Sequence, residues 1–307
     1  MIRIVAMALA LLSLPVSAQE LKLHSAGQGS AFLPYAQGLA RHLNASGAGP
    51  VTAIETSGSI ANLGAADSDP AALGLVFLAS AHEAITGTGF AQGRPHANVR
   101  ALFPMYQTSF QIAALRASGL ARAADLDRIR VGVGPAGGPA EVFFRALAAE
   151  IGIAPEIVTG SPAELGDALI AGRIDAFWQG AIVPIPSLTA VTDRADAVVF
   201  GLSDTEIAAM TRRFPFLAPA SVPANAYRGQ TAALNSVAAW NFVVAHKDLP
   251  DARVEAILRA VFGAADPARD IHPFAGGTRA ANAGTNRVVP FHPAALRYYR
   301  AAGIALP

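Results

Sequence analysis

The stretch IRVGVGPAGGPAEVFFRALAAEI, residues 129–151, decides the fold class. Ile129 to Val133 reads as a strand, Gly134 to Ala140 as a glycine-rich loop, and Glu141 to Ile151 as a helix. Pro139 falls in the first helical turn, where its missing N–H costs nothing. The same unit occurs twice upstream. Leu21 to His24 precedes the turn Gly27-Gln28-Gly29-Ser30 and a helix spaced by Phe32, Leu33, Leu39 and Leu43. Val51 to Ile54 precedes Ser57-Gly58-Ser59, with Ser59 the expected N-cap of the helix that follows. Leu73 to Leu78 is a continuous apolar run suited to a strand buried on both faces. Further strands are expected at Ile174 to Trp178 and Ala197 to Phe200. Strands alternating with helices argue for an α/β fold, a mostly parallel sheet covered on both sides. Two stretches depart from the alternation. Arg100 to Leu115 is long and extended, with Tyr106-Gln107-Thr108-Ser109 at its centre, and Ala238 to Ala245 is a second apolar run; both read as segments crossing between two domains.

The N-terminus fixes the expected compartment. Met1 to Ala18 has a charged start at Arg3, an apolar run from Ile4 to Leu14 and a small-residue exit at Val16-Ser17-Ala18, the pattern of a cleaved secretory signal. The apolar run is shorter than the ~20 residues that cross a bilayer. Cleavage after Ala18 is therefore expected, leaving Gln19 first in a periplasmic protein. The chain contains no Cys, so neither disulfides nor a lipid-modified cysteine enters the argument. With 52% hydrophobic and 15% charged residues among 307, it has the composition of a folded chain and the length for two domains. Its formal charge of +1 falls to zero once Arg3 leaves with the signal, and no basic cluster marks a nucleic-acid or membrane-surface partner.

A glycine loop that closes a strand and opens a helix leaves backbone N–H groups free at the positive end of the helix dipole, a setting that suits a carboxylate. One such loop is ordinarily just a turn; three over two α/β units fit a cleft at the carboxyl ends of the strands. Catalytic patterns are absent. His82-Glu83 lacks the second His of a zinc-protease helix, since Thr86 stands there. Ser30 and Ser59 follow glycines outside any G-x-S-x-G elbow. Gly27-x-Gly29 misses the third glycine of a dinucleotide fingerprint, where Phe32 stands, and no phosphate loop occurs. The seven His residues show no metal-ligand spacing; His292 beside Pro293 reads as a loop-positioning residue. No catalytic residue, metal or cofactor is expected. Asp175 reads as a carboxylate pairing at a strand start, while Trp178 and Gln179 are either ligand contacts or ordinary core and surface residues.

Six motifs in order resemble those of the TAXI-type solute receptors of tripartite ATP-independent periplasmic (TRAP) transporters. They are Ser25 to Pro34; Glu55 to Leu63, the most specific; Arg100 to Leu102 running through Tyr106; Gly172 to Phe177; Tyr227 to Gln230; and Pro290 to Pro293 with Tyr298-Tyr299. The resemblance spans nearly the whole mature chain. It implies a two-domain periplasmic-binding-protein fold, type II-like, with a cleft between domains formed by residues 19–109 with about 245–307 and by 110–244. It also implies a receptor, not an enzyme, that captures a small organic anion such as glutamate or another five-carbon acid and delivers it to a TRAP-type membrane permease. The implied contacts are Gln28, Gly29, Ser30, Phe32, Ser57, Gly58, Ser59, Tyr106, Thr108, the loop Gly137-Gly138-Pro139-Ala140, Trp178 and Gln179.

Two departures bear on the ligand. Phe77-Leu78-Ala79 stands where the resembled receptors carry a polar run, and Gly137-Gly138-Pro139-Ala140 replaces Gly-Ser-Gly-Thr, losing two hydroxyls and one N–H. Each lost hydrogen bond to a charged ligand group is worth ~1.5–3 kcal/mol. A more apolar pocket follows, taking a ligand with a larger hydrophobic portion and one carboxylate, unless Phe77 turns into the core. A receptor for an ABC importer, a sensory ligand receptor and a periplasmic hydrolase on the same fold are the alternative readings.

Overall fold

The protein is described here by a computed structural model covering residues 19–27 and 30–307. The expected signal segment 1–18 and the expected contacts Gln28 and Gly29 lie outside the described residues.

Strand β1 (Leu21–His24) leads to α1 (Phe32–Ala45), β2 (Val51–Ile54) to α2 (Ser59–Ser68), and β3 (Ala72–Phe77) directly to α3 (Leu78–Thr86). The long β4 (Val99–Leu115) follows. Then come β5 (Arg130–Gly132), α4 (Pro139–Ile151), β6 (Glu156–Val158), α5 (Pro162–Ile170), β7 (Ala176–Ala181), α6 (Pro186–Arg194), β8 (Ala197–Phe200), α7 (Asp204–Arg213) and β9 (Leu217–Val222). The chain returns along β10 (Leu234–His246) and closes with α8 (Asp251–Phe262), the single turn α9 (Pro267–Asp270) and α10 (Pro293–Ala301).

All ten strands join one curled mixed sheet with the path β2-β1-β3-β10-β4-β7-β5-β6, while β8 adds to β4 and β9 to β10. Pairing is parallel among β1, β2 and β3 and among β5, β6 and β7, and antiparallel wherever β4 or β10 takes part. Those two strands run through the whole sheet. Val99 to Ser109 of β4 pairs with β10, and Ser109 to Ala114 pairs with β7, with β8 along Ile112 to Leu115 on the other edge. Leu234 to Ala239 of β10 pairs with β9, and Asn241 to Ala245 with β3. The change of partner in β10 thus falls at Trp240, within the run Ala238 to Ala245.

Helices α1, α2, α3, α8 and α10 cover the half of the sheet built on β1 to β3; α4 to α7 cover the half built on β5 to β9. Local sequence accounts for the helix ends. Helices α5 and α7 open with reciprocal capping boxes, Ser161 with Glu164 and Ser203 with Glu206. Helix α4 starts with Pro139 at its first position and stops at Gly152, whose φ of 73° ends a helix without strain. Between them Phe143, Phe144 and Leu147 recur on one face and are buried. All six residues of β3 are buried, as its uniform hydrophobicity requires of a strand covered on both faces. Its Gly74 lets α2 lie directly on it, because a Cβ there would come 2.9 Å from the carbonyl oxygen of Asn62.

Two expectations need correction. Ser59 is the first residue of α2, not its N-cap; Gly58 holds that position at φ 111°, and the Ser59 hydroxyl accepts the N–H of Phe77 at 3.0 Å. Leu78 does not extend β3. It opens α3 and is fully buried. The reading of Asp175 as a structural pair holds: its carboxylate takes Arg130 Nη2 at 2.7 Å, Nε at 3.0 Å and the Arg130 backbone N–H at 2.9 Å, clamping β5 to the start of β7. His292 Nδ1 accepts the N–H of Ala294 and caps α10.

Candidate functional site

The loops after β1, β2, β3, β5 and β7 open onto one cleft of about 910 Å³ between the two halves of the sheet. Tyr106, Thr108 and Phe110 of β4 and Asn241 of β10 contribute from the crossing strands. The cleft therefore lies at the carboxyl ends of parallel strands, where α/β sheets bind ligands.

Ten of the expected residues line it. Ser30 and Phe32 come from the start of α1, Ser59 and Phe77 from the α2 and β3 side, and Tyr106 and Thr108 from β4. Gly138, Pro139, Ala140 and Gln179 come from the opposite wall. Phe77 thus faces the cleft while also packing on Phe143 at 6.4 Å. The other described candidates do not line it. Ser57 and Gly137 are exposed, Gly58 is half-buried, and Leu78 is in the core. Trp178 is a core residue: it is fully buried, stacked on Phe110 at 5.4 Å, and donates Nε1–H to the Ala140 carbonyl at 3.0 Å. Its flat surface supports the cleft wall from behind.

Asn241, Phe274 and Ser187 also line the cleft and were missed. Asn241 carried a signal, being the one polar residue in the buried run Ala238 to Ala245. Its Nδ2 donates to Tyr106 O at 3.0 Å and to Thr108 Oγ1 at 3.1 Å, which leaves the threonine proton free to point at a ligand. Phe274 meets Tyr106 edge-on at 6.2 Å, and Phe32 meets the same ring edge-on at 6.4 Å. Burial pushes the Tyr106 phenol far above its ordinary range, so it stays a neutral O–H at any physiological pH.

Charge is the informative absence. Among the described residues lining the cleft there is no Arg, Lys, His, Asp or Glu. Positive potential comes from backbone. Helices α1, α2, α4 and α6 present their first residues to the cleft, α3 presents its N-cap Phe77 and Ser80, and none of the five has a side-chain cap. Helix α5, whose Pro162 also lines the cleft, is capped by Ser161; of the helices whose starts do not line it, α7, α9 and α10 are capped by a side chain and α8 is not. Two of the five are partly neutralised. Ser30 Oγ accepts the Phe32 N–H in α1, and in α4 Glu141 accepts the Gly137 N–H at 2.7 Å, which with Arg145 holds its carboxyl below the usual range. At α6 nothing intervenes: Ile185 is the N-cap, Pro186 has no N–H, and the Ser187 hydroxyl is buried without a partner. The entry to α6 is fixed from behind, because Tyr227 Oη accepts the Ile185 N–H at 2.9 Å and donates to Gln111 Oε1 at 2.6 Å.

Among the described residues no group of three or more His, Asp or Glu is placed to hold a metal ion, and no helix is long and apolar enough to cross a membrane. Ser30 and Ser59 both accept backbone N–H groups, from Phe32 and Phe77.

Two α/β halves, two strands crossing between them and a cleft at the strand ends are the architecture of the periplasmic solute-binding proteins. The chain belongs to the NMT1-like family, which residues 23–303 match. Its fold is shared by MatC from Rhodopseudomonas palustris with bound malate, at TM-score 0.54 and 14% identity over 85% of this chain and 90% of that one. R. palustris Rpa4515 with adipate gives 0.54 and 13% over 92% and 93%. The periplasmic aliphatic sulphonate binding protein SsuA from Escherichia coli gives 0.51 and 14% over 92% and 79%.

Proposed function

We propose that this protein is a periplasmic receptor that captures a small organic acid bearing one carboxylate and an apolar body, and that it hands the acid to a membrane permease rather than transforming it. One observation carries the reading: five uncapped helix starts meet at the cleft, and none of its described lining residues is charged. Free N–H groups at a helix start attract an anion, and removing water from around them strengthens the attraction. We assign the carboxylate to the start of α6, where the first-turn N–H groups lack intrahelical acceptors and the Ser187 hydroxyl turns to donate. The aromatic wall of Phe32, Tyr106 and Phe274 receives the apolar portion. A second carboxylate finds no cation in the described lining, so glutamate and 2-oxoglutarate are disfavoured, in line with the polar groups lost at Phe77-Leu78-Ala79 and Gly138 to Ala140.

The two domains of this receptor are residues 19–109 with the C-terminal part and the segment between, joined at Ser109 and near Trp240. Binding across the cleft favours the closed arrangement by the extra affinity the closed state offers. The order of sequence motifs favours a TRAP permease as the partner; the fold, shared with an aliphatic sulphonate binding protein, is equally at home with an ABC importer. Finding a fused TRAP permease or an ATPase encoded beside the gene decides between them.

The test is thermal stabilisation of ligand-stripped protein at pH 7 by 4-methylpentanoate and 3-phenylpropanoate, against the corresponding amides. Ligand at a hundred times Kd adds about 2.7 kcal/mol, about 5–10 °C at the ~2–4 °C per kcal/mol of a domain of ~150–250 residues. The acids are expected to shift the melting temperature and the amides to leave it unchanged. Equal shifts by acid and amide, or stabilisation only by glutamate or 2-oxoglutarate, refute the assignment.

A further inference from the structure

Gln179 stands out within the cleft wall. It is only 9% exposed, yet its Oε1 is buried with no hydrogen-bond partner. Its Nε2 has one long contact, 3.4 Å to the Gly180 carbonyl. The residue directly across the ladder, Gln111, is also a carboxamide, but its bonds run elsewhere: Oε1 accepts from Tyr227 Oη and Nε2 donates to Ser109 Oγ at 2.8 Å. On the other side lies Gly134, the first residue of the loop before α4, where even a Cβ would come 3.3 Å from that oxygen. A buried polar atom left unpaired costs free energy, and protein cores rarely carry one without a reason.

We propose that Gln179 is the specificity residue of the cleft and that it reads a hydroxyl on the ligand, so that the natural ligand class is a 2-hydroxy acid with an apolar side chain. This rests on the carboxylate reading above. The terminal torsion of a glutamine side chain is broad, and its one long contact tethers it weakly, so a small rotation brings Oε1 to the cleft surface. Once there it accepts a ligand O–H and loses its orphan state. An ammonium group is the wrong donor for this position, because no carboxylate lines the described cleft and the positive helix ends repel it. Gln179 lies in β7, two residues before its end, and Ser187, the second residue of α6, follows eight residues after Gln179. Both line the cleft from the same half of the sheet, a placement that suits a hydroxyl close to the carboxylate, as in a 2-hydroxy acid.

Ligand-stripped protein is titrated calorimetrically at pH 7 with matched pairs. These are 2-hydroxy-4-methylpentanoate, each enantiomer, against 4-methylpentanoate, and 3-phenyllactate, each enantiomer, against 3-phenylpropanoate. One enantiomer of each hydroxy acid is expected to bind about tenfold to a hundredfold tighter than its deoxy partner. The near-isosteric Gln179→Met removes that gap, whereas Ser187→Ala weakens both members of each pair alike and keeps the gap. Equal binding of hydroxy and deoxy acids by the unaltered protein overturns the proposal while the carboxylate reading stands, and this comparison requires no variant to fold. Absence of binding by any acid, with retained binding of the amides, overturns both.

Discussion

Asn62 is fully buried beneath the loop that carries Ser57 to Ser59, and replacing it tests how that loop is held. Its Nδ2 donates to Ser25 O at 2.6 Å and to Leu75 O at 2.7 Å, and its Oδ1 accepts from Thr56 Oγ1 at 2.7 Å. One carboxamide therefore ties the end of β1, the middle of β3 and the turn after β2. At a net ~1 kcal/mol per hydrogen bond, Asn62→Ala is expected to cost about 3 kcal/mol. Thr56 softens the loss, since its hydroxyl already reaches Ser25 O at 2.9 Å. Asn62→Asp is expected to do at least as much harm at pH 7, because a carboxylate cannot donate to two carbonyls. The assay is equilibrium urea unfolding, in which stability falls through a lower midpoint at unchanged slope. Ser68→Ala on the same helix, an exposed hydroxyl bonded to Gly64 O, is the control and stays within about 0.5 kcal/mol. A loss below about 1 kcal/mol for Asn62→Ala refutes the view that this residue organises the loop.

Tyr227→Phe removes the acceptor of the Ile185 N–H and the donor to Gln111; calorimetry is expected to show organic-acid affinity falling about tenfold, and unfolding a stability loss of about 1–2 kcal/mol. Unchanged affinity removes α6 from the site. The clamp between Arg130 and Asp175 depends on pH in a definite direction. Hydrogen bonds from Arg130 hold the Asp175 carboxyl below its ordinary value, so the clamp contributes fully above about pH 4 and is lost as pH falls through the depressed folded value. Because the pair is partly exposed, Asp175→Asn is expected to lower stability by about 1 kcal/mol at pH 7, with the difference from the unaltered protein shrinking below pH 4.

Strands and helices were legible wherever hydrophobic spacing and turn residues agreed. Pro139 and Gly152 bracket α4 as the sequence pattern requires, and the uniform run at β3 reads as doubly covered. The long extended stretch from Arg100 is β4 itself. The Glu55 to Leu63 motif is distinctive for a structural reason, since it contains the buried Asn62 and its partner Thr56. The cleft was legible only in part. Which residue of a loop faces a cavity depends on backbone angles that spacing does not encode, so Ser59 lines the cleft while Ser57 and Gly58 do not. Trp178 and Gln179 are adjacent on one strand and point to opposite faces; the period-two rule separates them but does not say which face is the cleft. Ser187 lies after the unusual run Ile182-Val183-Pro184-Ile185-Pro186, which reads in sequence as a loop and gives no sign that a helix start turns inward there.

The two continuous strands that pass from one half to the other set the mechanics of any closing motion. A loop hinge swings freely about a few soft torsions; β4 and β10 instead lie side by side, hydrogen-bonded from Val99 to Ser109, with register slips at Trp240/Phe242 and Val243/Val244 where the ladder is already loosened. They form a leaf spring. On the receptor reading, rotation of one half against the other would be shared along the ribbon as twist, so that its backbone amides could keep their partners during closure and the paired strands would oppose the displacement.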